Sequence, residues 1–151
     1  FVTIPTVFLS LYLPLCRNMI KDIHTPEVTD IAIAVVREAG EEGDVWNVYL
    51  VNLKDVAIES VLVSSTGYGT VNDEPVKTSV LRHFLDRVEP MSFVKIEPII
   101  EDVFVLNNEY WVSFYIDKVI HDKKFIFLPG TINEAFFTSV PIVFKKGVMI
   151  K

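Results

Sequence analysis

The chain has 151 residues, of which half are hydrophobic and 23% are charged, and its formal net charge is −6. This length and composition predict one folded domain with a sizeable core and exclude a disordered chain. A nucleic-acid partner is disfavoured because it would require a basic face, and no run of Lys or Arg exceeds two residues.

The first 16 residues, FVTIPTVFLSLYLPLC, carry no charge, and Arg17 and Lys21 follow them. A helix needs about 20 apolar residues to cross the hydrocarbon core, and the two prolines in this stretch disfavour a continuous helix. A secretory signal would carry its positive residues before the apolar stretch. The pattern is therefore typical of neither a complete membrane helix nor a standard signal.

We interpret residues 1–18 as a non-native or unstructured extension, with Met19 as the natural start of a single cytoplasmic domain over residues 19–151. A truncated membrane anchor or export signal is the alternative interpretation of the extension. Cys16 is the single cysteine and cannot form an internal disulfide, which is typical of a reducing compartment. No membrane contact is predicted for residues 19–151.

From Asp30 onward, short apolar alternations separated by turn residues predict β-strands. The first of these, residues 31–36, is apolar on both faces. Residues 76–88 fit either a helical stripe or a strand, and we predict a strand because the neighbouring segments are strands. The predicted strands lie at residues 31–36, 44–51, 56–65, 76–88, 92–100, 109–117, 123–129, 140–144 and 148–151, and residues 52–55 are predicted to be a short hairpin connection.

Turns are predicted where polar or glycine-containing clusters interrupt these patterns. The clusters are residues 38–44, Asn107-Asn108, His121-Asp122 and Lys145-Lys146-Gly147. Thr131 and Glu134 have the spacing of a capping box, which predicts one short helical turn near the C-terminus. Eight or so short strands of this kind predict an all-β fold, an immunoglobulin-like antiparallel β-sandwich, with a closed barrel as the main alternative.

The longest predicted loop is residues 65–75, STGYGTVNDEP, which is rich in residues that favour turns. Gly67, Tyr68 and Gly69 form its centre. They do not match a phosphate-binding or dinucleotide-binding pattern. Two interpretations remain open: a turn that packs Tyr68 against the sheet, and a recognition loop formed by these three residues.

Metal and catalytic motifs are not apparent. His24, His83 and His121 share no ligand-like spacing, so we interpret them as structural. Four acidic residues could bind a hard cation, but a solvated sheet edge explains them more simply; they are Glu97, Glu101, Asp102 and Glu109. No serine lies in a G-x-S-x-G elbow, and a Ser–His–acid triad assembled in space is left open. The sequence predicts no catalytic, metal-binding or cofactor-binding residue, and no cofactor.

Trp46 and Trp111 each lie in a strongly alternating segment. Either could be a core anchor or an exposed platform on which a ligand stacks. Because alternating strands bury one face, we predict that both side chains lie in the core.

Several segments resemble a family of short bacterial proteins, some of which carry the label phenylalanyl-tRNA synthetase alpha subunit. The similarity extends from about Asp30 to Lys151. It rests on DVWNVYLVNLKDVAIESVLVSSTGYG, LRHF, VKIEPI, NEYWVSFYI, DKKFIFLP and GVMIK. The resemblance implies an accessory or ligase-related role in phenylalanyl-tRNA synthesis, and it implies no particular site residue.

Three functions follow as hypotheses. The first is a non-enzymatic or structural domain that binds another protein or itself, through a sheet edge or through residues 65–75. The second is the role in phenylalanyl-tRNA synthesis. The third is a module that binds a small molecule or a cation near residues 65–75 and the neighbouring acidic residues.

We expect this chain to show neither phenylalanine-dependent pyrophosphate exchange nor salt-sensitive tRNA binding. Both activities need cations that contact phosphate, whereas the chain is acidic and has only four arginines, none in a recognisable ATP-binding context. Exchange assays and filter binding at micromolar protein measure the two activities. A positive result in either assay would contradict the expectation.

Overall fold

The computed structural model describes residues 26–151, which form ten β-strands and two short 3-10 helices. The helices are Glu101–Val103 and Glu134–Phe136. The strands are β1 (Ile31–Gly40), β2 (Gly43–Asn52), β3 (Ile58–Val71), β4 (Glu74–Lys77), β5 (Leu81–Val88), β6 (Ser92–Ile99), β7 (Asn107–Ile116), β8 (Val119–Phe127), β9 (Thr138–Val140) and β10 (Lys145–Ile150).

Four of our interpretations concern residues outside this described part of the chain. They are the extension over residues 1–18, the start at Met19, and the structural interpretations of Cys16 and His24. Within residues 26–151, neither helix has the length or apolar character needed to cross a bilayer.

The strands form two antiparallel sheets. The first has the order β6-β2-β1-β10-β9, and the second has the order β4-β3-β7-β8. β5 also belongs to the second sheet, where it pairs with the first half of β3 while β4 pairs with the second half. The predicted all-β sandwich is confirmed. The immunoglobulin-like connectivity stays a prediction; the order β3-β7-β8 matches that of strands C, F and G in that fold.

The main core lies between the two sheets. Ile31, Ile33 and Val35 of β1 face Phe114 of β7 and Phe125 of β8 across it, and all five are buried. Burying one such side chain contributes about 1.5–3 kcal/mol of hydrophobic stabilisation. The alternating segments therefore fold as strands whose inward faces meet.

β1 is also buried on its outer face, as its sequence predicts. Ala32, Ala34 and Val36 are fully buried in a second apolar cluster with Tyr49 and Val51 of β2. Small alanine side chains let neighbouring groups approach this face closely. The central strand of the first sheet is thus covered on both sides.

Two predictions about local structure are confirmed. Residues 76–88 are extended rather than helical, since they contain the end of β4 and all of β5. A short helical turn does form at Glu134–Phe136, although its N-cap is Asn133, whose side chain accepts a hydrogen bond from the backbone N–H of Ala135, and not Thr131.

Three predicted turns are wrong. Residues 107–108, 121–122 and 145–147 lie within β7, β8 and β10. The β7–β8 hairpin instead reverses at Asp117 and Lys118, where φ is 49° and 66°, and consecutive positive φ angles give the twist that tight hairpins favour. A polar pair inside a strand and a polar pair in a turn have the same composition.

The loop predicted over residues 65–75 is also wrong. Gly67, Tyr68 and Gly69 lie inside β3, and the chain reverses only at Asn72 and Asp73, with φ of 51° and 63°. Gly67 is glycine because of close packing. A Cβ there would lie 3.2 Å from Thr78 Cγ2 and 3.4 Å from Leu106 Cδ1.

The two tryptophans differ in burial. Trp46 is buried (8% exposed), packs edge-on against Phe104 at 5.0 Å between ring centroids, and donates from Nε1 to Glu101 Oε2 at 3.1 Å. Its core position is confirmed. Trp111 is 45% exposed on the outer face of the second sheet, so the predicted core position is wrong. Its neighbours Tyr110 and Val112 take the inward face of β7.

Glu38 lies in a polar cluster of the first sheet. Its Oε1 accepts hydrogen bonds from the Tyr49 hydroxyl (2.6 Å) and Asn47 Nδ2 (2.8 Å), and its Oε2 accepts one from Lys145 Nζ. Burial raises the pKa of Glu38, but these donors together outweigh burial and lower the pKa to about 2. Burial and the Glu38 carboxylate raise the pKa of Tyr49 to about 12. The cluster contains its own cation and is explained by the fold.

We expect Trp46→Ala to lower the free energy of unfolding by about 3–5 kcal/mol, because it removes a buried ring and leaves a cavity. Trp111→Ala is the matched control, since the same change at an exposed ring should cost less than about 1 kcal/mol. Urea denaturation followed by circular dichroism measures both. An equal decrease in the free energy of unfolding for the two variants would contradict the difference in burial.

Candidate functional site

A β-bulge in β6 determines where Glu97 points. Val48 of β2 pairs with Glu97 and Tyr49 pairs with Lys95, so Ile96 is an extra residue in β6. A bulge of this kind re-aims the side chains that follow it. Simple alternation would put Glu97 on the outer face with Lys95. The bulge instead turns Glu97 into the space between the sheets, so the solvated sheet edge predicted for this residue is wrong.

Glu97 there accepts hydrogen bonds from three strands of the opposite sheet. Ser65 Oγ of β3 donates to Oε1 at 2.8 Å, and His83 Nε2 of β5 lies 2.7 Å from the same oxygen. A carboxylate only accepts, so the ring nitrogen is the donor. The hydroxyl of Tyr110 in β7 lies 3.5 Å from Oε2. We call Glu97, Ser65, His83 and Tyr110 the Glu97 cluster.

The Glu97 cluster is largely shielded from water. The Glu97 side chain is 11% exposed and that of His83 is 29% exposed. Within residues 26–151, the only salt bridge of Glu97 is to His83. Burial, together with the charge of Glu97 and its hydrogen bond, raises the pKa of Tyr110 far above its ordinary value. Tyr110 therefore keeps its proton and remains a hydrogen-bond donor.

The cluster contains a serine, a histidine and an acid, but not in the order of a catalytic triad. In a triad the histidine lies between serine and acid and takes the serine proton. Here Glu97 lies in the middle, and Ser65 and His83 both bond to its Oε1. The arrangement holds a carboxylate in place and does not activate a serine nucleophile.

A cavity of about 330 Å³ adjoins the carboxylate of Glu97. Its wall is mainly apolar and includes Leu81, Ile99 and Val103, while Ser65 and Tyr110 add polar groups beside Glu97. Ligand sites commonly combine an apolar wall with a few placed polar groups. The geometry is thus that of a small pocket with one acidic end.

The sequence-predicted recognition residues are divided by the fold. Gly67 lines the cavity, and its backbone N–H donates to Thr78 Oγ1 at 2.8 Å. The Tyr68 hydroxyl donates to Glu109 at 3.4 Å. A Cβ on Gly69 would lie 3.4 Å from Leu106 Cδ2. Of the three, only Gly67 reaches the Glu97 cavity.

The four acidic residues singled out from the sequence are not brought together. Glu97 lies between the sheets, Glu101 accepts from Trp46, and Glu109 accepts from Tyr68. Asp102 is the exposed residue after Glu101 in the same 3-10 helix. Within the described residues, no three His, Cys, Asp or Glu side chains converge as a metal site would require.

A second surface lies on the outer face of the second sheet. We call it the Trp111 face. It is formed by large apolar side chains that are each more than a third exposed: Leu62, Phe84, Trp111, Tyr115 and Ile120. A shallow cavity of about 320 Å³ crosses it, with Ser64 and Ser113 between Leu62, Trp111 and Ile120. The sequence alone does not predict this surface, although the aromatic residues on both faces of β7 are a visible signal of it.

A scan against protein-family models finds no match for this chain, and a search of the curated proteins finds no significantly similar sequence. The resemblance to the family labelled phenylalanyl-tRNA synthetase alpha subunit stays a prediction.

We expect Ser65→Ala to lower the free energy of unfolding by about 1.5–3 kcal/mol, because it removes a short hydrogen bond to a charged group. Tyr110→Phe, which removes only the 3.5 Å contact, should cost less than about 1 kcal/mol. Urea denaturation of both variants gives the comparison. A larger loss for Tyr110→Phe would show that the Tyr110 hydrogen bond to Glu97 is the stronger of the two, contrary to the distances.

Proposed function

We propose that this chain is a non-enzymatic domain that binds another protein through the Trp111 face. One observation carries the proposal: large apolar side chains lie side by side at the surface, with Phe84 62% exposed and Trp111 45% exposed. Contiguous exposed apolar patches mark interaction sites more often than single exposed residues do. Tryptophan and tyrosine are also prominent among residues that dominate binding energy.

Two cations lie in the same row as Trp111 and favour an acidic group on the partner, while Asp122 lines the cavity beside them. Strand register places Arg82, Ser64, Trp111 and Lys124 in one row across the sheet. Lys124 Nζ lies 4.5 Å from the centroid of the Trp111 ring. Neither Arg82 nor Lys124 has a salt bridge within residues 26–151. A carboxylate on the partner could therefore pair with these cations.

The shape of the face supports a peptide with apolar side chains as well as a carboxylate. Ser64 and Ser113 are small, and the taller side chains of Leu62, Trp111 and Ile120 rise around them. An apolar side chain of the partner fits over the two serines. A second copy of this chain is the less favoured occupant, because each copy carries a net charge of −6 and like charges repel.

The other hypotheses from the sequence are separate from binding through the Trp111 face. A role in phenylalanyl-tRNA synthesis is addressed by the exchange and tRNA-binding assays. Any binding through residues 65–75 would involve the β3–β4 hairpin rather than a loop, because these residues form that hairpin. A cytoplasmic location stays a prediction.

Selection from a random peptide library displayed on phage tests the proposal. We expect the selected peptides to combine large apolar residues with Asp or Glu. Trp111→Ala should weaken their binding by about tenfold or more, which is the loss typical of a central anchor. Lys124→Glu should also weaken it, and the melting temperature should change little in either variant. Phe144→Ala is the matched control and should leave peptide binding unchanged. Phe144 is 86% exposed but lies in the turn before β10, away from the Trp111 face.

Two outcomes would contradict the proposal. In the first, the selected peptides bind Trp111→Ala as tightly as they bind the unaltered chain. In the second, light scattering shows a dimer that Trp111→Ala dissociates, which would make a second copy the occupant of the face.

A further inference from the structure

We propose that the Glu97 cavity binds a small organic cation, an ammonium group joined to an apolar body of roughly ten non-hydrogen atoms. The site lies between the two sheets and shares no side chain with the Trp111 face. It is therefore independent of the proposed protein binding, and either can fail without the other.

The unequal use of the two carboxylate oxygens indicates where the ammonium binds. Oε1 of Glu97 already has two close donors, Ser65 at 2.8 Å and His83 at 2.7 Å. Oε2 has only the Tyr110 hydroxyl at 3.5 Å, which is at the limit of a hydrogen bond. A carboxylate offers about four acceptor positions, so Oε2 retains room for a donor from a ligand.

The electrostatics favour a cationic donor over a neutral or anionic one. A carboxylate removed from water is costly unless a positive group accompanies it. Within residues 26–151 the only salt-bridge partner of Glu97 is His83, whose ring is charged only when it is protonated, and no Lys or Arg pairs with Glu97. An ammonium group would supply the charge and up to three N–H donors. An anion would be repelled by Glu97.

The cavity wall and volume indicate the polarity and the size of the rest of the ligand. Leu81, Ile99 and Val103 present apolar surface beside the acidic end. A volume of about 330 Å³ corresponds to roughly eleven water molecules at about 30 Å³ each, which sets the size of the ligand body. A divalent metal fits less well, because within the described residues no three ligating side chains converge.

The test uses the whole chain and three probes of similar shape: 2-phenylethylammonium, 2-phenylethanol and 3-phenylpropionate. We expect the ammonium to bind with a dissociation constant of about 1 mM or tighter, measured by NMR titration. The alcohol should bind at least tenfold more weakly, and the carboxylate should not bind. Amide shifts should change around Ser65, Leu81 and Glu97.

Four variants separate the site from general effects. Glu97→Gln should weaken ammonium binding at least tenfold. Leu81→Trp fills the cavity and leaves the four side chains of the Glu97 cluster unaltered, so it should abolish binding even if Glu97→Gln fails to fold. Glu74→Gln removes the same charge at an exposed position of β4 and should change nothing. Trp111→Ala should also leave ammonium binding unchanged, because the ammonium does not stack on that ring.

The proposal is overturned if the unaltered chain binds none of the probes, or if the alcohol binds as well as the ammonium. It is also overturned if Leu81→Trp binds the ammonium normally. Amide shifts confined to the Trp111 face would place the cation on the aromatic surface and would equally rule out the cavity.

Discussion

The carboxylate of Glu97 links the two sheets through hydrogen bonds, and their relative arrangement depends on it. It belongs to β6 of the first sheet, yet its hydrogen bonds reach β3, β5 and β7 of the second. Elsewhere the sheets meet mainly through apolar contacts, together with a hydrogen bond that Asn52 Nδ2 of β2 donates to the backbone oxygen of Val88 in β5 at 3.3 Å. A buried carboxylate needs its donors at defined positions, so it sets the register of one sheet over the other. The bulge at Ile96 makes this possible.

Strand alternation separates the two candidate surfaces while building both from the same strands. β3 directs Ser65 into the Glu97 cluster and Ser64 into the floor of the outer cavity. β7 directs Tyr110 inward and Trp111 outward in the same way. The cavity between the sheets and the Trp111 face therefore share a backbone but no side chains. Any influence of one on the other would have to pass through movements of β3, β5 or β7.

Much of the fold follows from the sequence because its signals are local. The alternation in β1, β2 and β7 predicts strands, and the doubly apolar residues 31–36 predict a central strand covered on both faces. The position of Glu97 was not predictable, since a bulge shifts alternation by one residue. Trp111 was placed wrongly because both faces of β7 carry aromatic residues. Glycine signals turns and therefore predicts a loop over residues 65–75, whereas Gly67 lies inside a strand, beside Thr78 and Leu106.

The hydrogen bond between Glu97 and His83 of the opposite sheet is tested by a double-mutant cycle. The cycle compares the free energies of unfolding of His83→Ala, Glu97→Ala, the double variant and the unaltered chain, all at one pH. The 2.7 Å contact predicts a coupling energy of about 1–3 kcal/mol. Losses that add to within about 0.5 kcal/mol would show that His83 and Glu97 do not interact, because residues that do not touch behave independently.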